Sequence, residues 1–97
     1  MDSITEQQIQ FELKNRFYYI EYPKNIMPGF WKDREGKEHF MKDMGLDHLK
    51  ASISLVDRDI KKFIETRKHS PILVLLQPLA NQKLLELKEA FKRKVNS

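Results

Sequence analysis

Four side chains within ten residues have the chemistry to bind a metal: His39, Asp43, Asp47 and His48. Two imidazoles and two carboxylates are donor types that zinc and other divalent ions accept. Their spacing matches no metal-ligand motif, however. Asp43 and Asp47 also fall where a helix should begin, and carboxylates there accept free amides and meet the positive end of the helix dipole. The cluster therefore reads as a helix start, with no metal and no cofactor expected. Other catalytic groups are sparser still. Asp57 and Asp59 are two apart, and on a helix such residues point in different directions. The serines lack the elbow that activates a nucleophile. The three glycines are too scattered to cradle a phosphate, and there is no cysteine. With no set of nucleophile, base and oxyanion donors, the chain reads as a non-enzyme.

Binding chemistry is better represented. Phe30 and Trp31 stand beside Lys32, Arg34 and Lys37, and aromatics among cations suit stacked bases and phosphates. Asp33, Glu35 and Glu38 cancel most of that charge, and a tryptophan in so small a chain is expected to anchor the core. A second cation cluster comprises Lys83, Lys88, Lys92, Arg93 and Lys94. It suits phosphate or an acidic protein surface, and equally a solvated helix end. The candidate binding residues are therefore Lys83, Lys88, Lys92, Arg93 and Lys94, with Trp31 and Arg34. This cluster dominates the charge asymmetry. Residues 1–48 carry seven basic and nine acidic side chains, whereas residues 49–97 carry eleven and five.

The elements that must position these residues follow from periodicity. Ninety-seven residues, 40% apolar and 33% charged, suit a single domain over residues 1–97. Ser3 and Glu6 have capping-box spacing, and Ile9, Leu13 and Phe17 then recur every four residues, predicting a helix over 4–16 with Ser3 as its cap. Residues 17–22, Phe-Tyr-Tyr-Ile-Glu-Tyr, favour a strand, though the first helix could also run on through the tyrosines, and Pro23 ends whichever forms. A hairpin is expected over 30–40, with Asp33 capping its turn, Gly36 in the left-handed position, and Trp31 and Phe40 facing the helices. Leu46, Leu49, Ile53, Val56, Ile60 and Phe63 step by three and four along a long amphipathic helix. Ser70-Pro71 reads as a fresh cap. The apolar run 72–76 is left open between helix and buried strand, with Pro78 interrupting it. Leu84, Leu87, Phe91 and Val95 form the apolar face of a C-terminal amphipathic helix. The fold class is α+β and helix-dominant: N-terminal helix, β-hairpin, long helix, turn, C-terminal helix.

The longest apolar run is far short of the ~20 residues that a spanning helix needs, and the first residues do not resemble a signal peptide. No membrane association and a cytoplasmic location are expected. The run 72–76 looks too apolar for a chain this short to cover, which predicts a homodimer built around it.

Trp31-x4-Gly36, then Asp43-Met44-x3-His48-Leu49, then a Lys/Glu/Arg-rich closing helix resemble small proteins of tailed phages and prophages. The resemblance spans about residues 30–64 and, more loosely, 84–94. It transfers no functional residue. What it implies is context: a phage-type accessory protein in a bacterial host, binding a host or phage protein as inhibitor or adaptor, including against defence systems. The alternative function is a small nucleic-acid-binding protein that uses its basic C-terminal helix. The compensated charge of the hairpin favours a protein partner, with nucleic acid second.

Overall fold

The computed structural model describes residues 2–25 and 27–97. It contains α1 (Ser3–Asn15), β1 (Phe30–Lys32), β2 (Glu38–Phe40), a 3-10 turn (Met41–Asp43), α2 (Leu46–Thr66) and α3 (Pro71–Asn96). This is the helix-dominant α+β architecture and element order expected.

Asp2, not Ser3, caps α1: its Oδ1 accepts the Thr5 amide at 2.7 Å. Aspartate caps as well as serine does, and from one residue earlier it frees Ser3 to join the first turn. That hydrogen bond, more than any other contact, holds the Asp2 carboxyl below its ordinary pKa. The inner face of α1 carries Ile9 and, unexpectedly, Glu12. Glu12 is 2% exposed, and its carboxylate meets Arg67 Nε at 3.4 Å and Arg16 Nε at 3.9 Å. Arg67 ends α2, so this buried carboxylate ties α1 to the α2–α3 connection.

Residues 17–22 form turns and not the expected strand. Phe17, Tyr19 and Ile20 are all buried. Adjacent burial of Tyr19 and Ile20 breaks the alternation that a half-buried strand requires. The aromatics instead form a chain of contacts through the core. Phe17 meets Phe63 edge-on at 5.0 Å, and Tyr19 stacks on Trp31 at 4.8 Å.

The hairpin has the turn chemistry its sequence suggests. Asp33 Oδ1 accepts the Glu35 and Lys37 amides, and Gly36 has φ +86°, a region where only glycine is unstrained. Its register pairs Phe30 with Phe40, Trp31 with His39 and Lys32 with Glu38. Trp31 is 2% exposed and belongs to the same core as Leu49, Val56, Ile60 and Phe63. Phe40, expected inside, is 49% exposed. Side chains alternate along a strand, so once His39 lies opposite the inward Trp31, Phe40 must point the other way. It packs on its cross-strand partner Phe30 at 4.4 Å.

Along α2 the buried face is Leu49, Ser52, Val56, Ile60 and Phe63, while Leu46 is exposed and Ile53 half-buried. Helix α3 begins with Ser70 Oγ accepting the Ile72 amide and Pro71 in its first turn. It then runs without a break through Pro78. The proline removes the donor for the Val74 carbonyl, but both residues are exposed, on the side where solvent can satisfy a freed carbonyl. One helix therefore stands where an interruption was expected. Its buried face is Ile72, Leu76, Leu79, Ala80, Lys83 and Leu87. Leu84 and Phe91 are only half-buried and Val95 is exposed. Ile72 and Leu76 are fully buried within the chain, leaving Val74 as the one exposed residue of 72–76. Leu73 and Leu75 are half-buried. No helix among the described residues is long and apolar enough to cross a membrane.

Candidate functional site

The hairpin is tethered to α3 along one edge. Hydrogen bonds from Met41 N to Gly29 O and from Asp33 N to Lys37 O set the pairing phase. In that phase the Phe30 carbonyl points outward, away from β2. Lys83 of α3 caps it, with Nζ donating to Phe30 O at 2.9 Å and to Glu86 Oε1 at 3.0 Å. The same Glu86 oxygen accepts the Gly29 amide, and its other oxygen accepts from Gln82. Lys83 is 3% exposed. It is a structural clamp, and the expectation that it joins a surface cation cluster is corrected. A buried ammonium keeps its charge only with partners of this kind, and here they leave it none of the surface a phosphate would need.

The other cations of α3 do not act together either. One residue advances a helix by about 100°. Lys88 and Lys92, four apart, therefore share one solvent face, whereas Arg93 and Lys94 turn toward the hairpin. There they line a groove of about 700 Å³ with Pro28, Gly29, Phe40, Met41, Lys42, Glu86, Glu89, Ala90 and Ser97. Lys42 Nζ sits 5.5 Å from the centre of the Phe40 ring, a cation–π arrangement. Phe40 and Lys42 are absent from the binding candidates read from the sequence, which places Phe40 in the core instead. The strand alternation that turns Trp31 inward is the signal for Phe40.

Trp31 and Arg34 are separated. Trp31 lies inside, stacked on Tyr19. Arg34 is exposed at the hairpin turn, 5.6 Å from the Tyr18 ring, beside a shallower hollow of about 500 Å³ between the turn and α1.

Two polar pairs complete the electrostatics. The Tyr19 hydroxyl donates to Asp59 Oδ2 at 2.9 Å. Burial, then the Asp59 charge, push the Tyr19 pKa far up, so it is a fixed neutral donor. Burial also raises the Asp59 carboxyl, against the lowering effect of that hydrogen bond. His39 Nε2 lies 3.0 Å from Asp33 Oδ2, and the His39 ring meets His48 edge-on at 5.3 Å. The histidine contact holds Asp33 below the usual carboxylate range, ahead of the opposing effect of burial. Folding thus brings the two imidazoles together, yet among the described residues no three His, Asp or Glu side chains converge as a metal site would require.

Comparison of the chain with protein-family models, curated proteins and solved structures finds no match.

Proposed function

We propose that this chain is a small protein-binding module that acts on a host or phage protein as inhibitor or adaptor in a bacterial cytoplasm, the context implied by the resemblance to small tailed-phage proteins, which themselves carry no established activity. The observation that carries the reading is Phe40. A phenylalanine with half its surface in water, set in a groove large enough for a few side chains, is the arrangement of an interface anchor. Ligand grooves of about 300–1,000 Å³ are usual. The charged rim around it would steer encounter while the apolar floor supplies affinity.

The test is capture from bacterial lysate on immobilised protein, wild type against Phe40→Ser. The expected result is a partner band that Phe40→Ser loses and Arg34→Ala keeps. A partner captured equally by wild type and Phe40→Ser would refute the reading.

The second reading, nucleic acid, rests on exposed Lys88 and Lys92, which share one face, and on exposed Arg93, about 100° further round the helix. Neutralising two or three phosphates gives a log–log salt slope of roughly −2 to −3. Duplex affinity no tighter than about 10 μM near physiological salt is expected, a value in the non-specific range. Fluorescence anisotropy over a salt series decides. Submicromolar binding lost in Lys88→Ala/Lys92→Ala/Arg93→Ala would replace the first reading with the second.

A further inference from the structure

The groove between the hairpin base and α3 has a floor and a rim of different chemistry. Its floor is apolar: Phe40 is half-exposed, Met41 is almost fully buried below it, and Ala90 faces it from α3. Its rim carries Lys42, Arg93 and Lys94. Two carboxylates also reach the groove, but they are not equivalent. Glu86 is already committed, with one oxygen held by Lys83 and the Gly29 amide and the other by Gln82. The buried ammonium of Lys83 balances its charge. Of the lining side chains, Glu89 alone remains to oppose three cations. The groove is therefore electropositive once internal pairs are discounted.

We infer that this groove takes a short acidic segment of a partner protein, with an apolar or aromatic side chain against Phe40 and Met41 and carboxylates against Arg93 and Lys94. The inference rests on the protein-binding reading above and names the chemistry of the partner. Three features favour this occupant. The guanidinium of Arg93 pairs with a carboxylate through two parallel hydrogen bonds, which fixes orientation as well as charge. The apolar floor offers one anchoring site and not the succession of stacking platforms that a single-stranded nucleic acid uses. Glu89 stands among the cations, where it would repel a phosphate chain charged at every step more than a peptide whose carboxylates can be spaced around it.

The test is selection of a random heptapeptide library, displayed on yeast, against the immobilised full-length chain. Wild type should enrich peptides that combine aspartate or glutamate with one aromatic or aliphatic residue. For a selected peptide, Arg93→Glu should weaken binding about tenfold or more, while Lys88→Glu, on the other side of α3, changes it less than about twofold. Phe40→Ser should also weaken it about tenfold, with its circular dichroism spectrum and melting temperature close to wild type. A selection that enriches nothing, or enriches without acidic residues, overturns the inference. So do equal effects of Arg93→Glu and Lys88→Glu, or a random single-stranded oligonucleotide that displaces the selected peptide at submicromolar concentration. If lysate capture still depends on Phe40 while the acidic preference is missing, only the partner chemistry falls. If capture is indifferent to Phe40, the protein-binding reading falls with it.

Discussion

The two ends of the hairpin are both ringed with charge, and they differ in what that charge is free to do. At the turn, Lys14, Lys32 and Arg34 face Glu21, Asp33 and Glu35 around the shallower hollow. Arg34 lies over Tyr18, and Asp33 is occupied by two amides and His39. The charges there cancel and mostly hold the turn in shape. At the base, the clamp of Lys83 on Glu86 removes one carboxylate from play, and a half-exposed phenylalanine is left among three cations. Counting charges along the chain makes these regions look alike. What separates a structural turn from the groove at the base is the half-exposed Phe40 beside the cations there, with Glu86 held by Lys83.

The largest effect that would break the comparison comes from the wall behind the hairpin. Trp31→Ala removes the indole stacked on Tyr19 and should cost roughly 3–5 kcal/mol, enough to unfold much of so small a domain. Urea denaturation measures it, and a loss below about 1 kcal/mol would mean that the hairpin does not depend on this contact. Next comes the clamp. Lys83→Met keeps the apolar stem but leaves the Phe30 carbonyl without its donor and the Glu86 carboxylate without its counter-charge, at an expected cost of about 2–4 kcal/mol. The same substitution leaves the Glu86 charge unbalanced at the groove, so selected acidic peptides should bind less well even where the protein remains folded.

The turn should reveal itself through pH. Because Asp33 is held below its unfolded value of about 3.9, its stabilising contribution is complete above that value. It is lost as pH falls through the lowered folded value. Asp33→Asn retains an acceptor for the turn amides and removes the titration. Its stability should therefore fall less steeply than that of wild type between about pH 4 and pH 2 in thermal unfolding. Parallel acid limbs would show that the His39 contact carries no weight. The smallest effects sharpen the contrast most. Phe40→Ser should cost under about 1 kcal/mol, since it loses mainly a cross-strand pair, yet abolish capture. Arg34→Ala should change stability by no more than about 0.5 kcal/mol and leave capture intact. If both variants lose capture, the two ends act as one surface.

Much of this could be read from residue order. The α2 stripe, the Ser70-Pro71 start of α3 and the Asp33/Gly36 turn are local patterns, and local backbone chemistry determines them. Residue order misleads where an outcome depends on what lies across the molecule. Pro78 signals a break, but the exposed Val74 carbonyl can turn to water, so α3 continues. Residues 17–22 favour a strand, but among the described residues none of the strands pairs with them, and the aromatics instead bridge α1, α2 and Trp31. Glu12 reads as a surface residue until Arg67, 55 positions away, arrives beside it.

The candidate site divides in the same way. Residue types alone establish a cysteine-free, helix-dominant chain with a basic second half, and they mark Arg93 and Lys94 among its binding candidates. Only the tertiary structure decides which cations are available. Burial makes Lys83 a clamp, helical rotation separates Lys88 and Lys92 from Arg93 and Lys94, and strand alternation puts Phe40 beside the latter pair. The physical reason is range: capping, turns and periodicity act over a few residues, whereas burial and charge pairing depend on neighbours that only folding brings together.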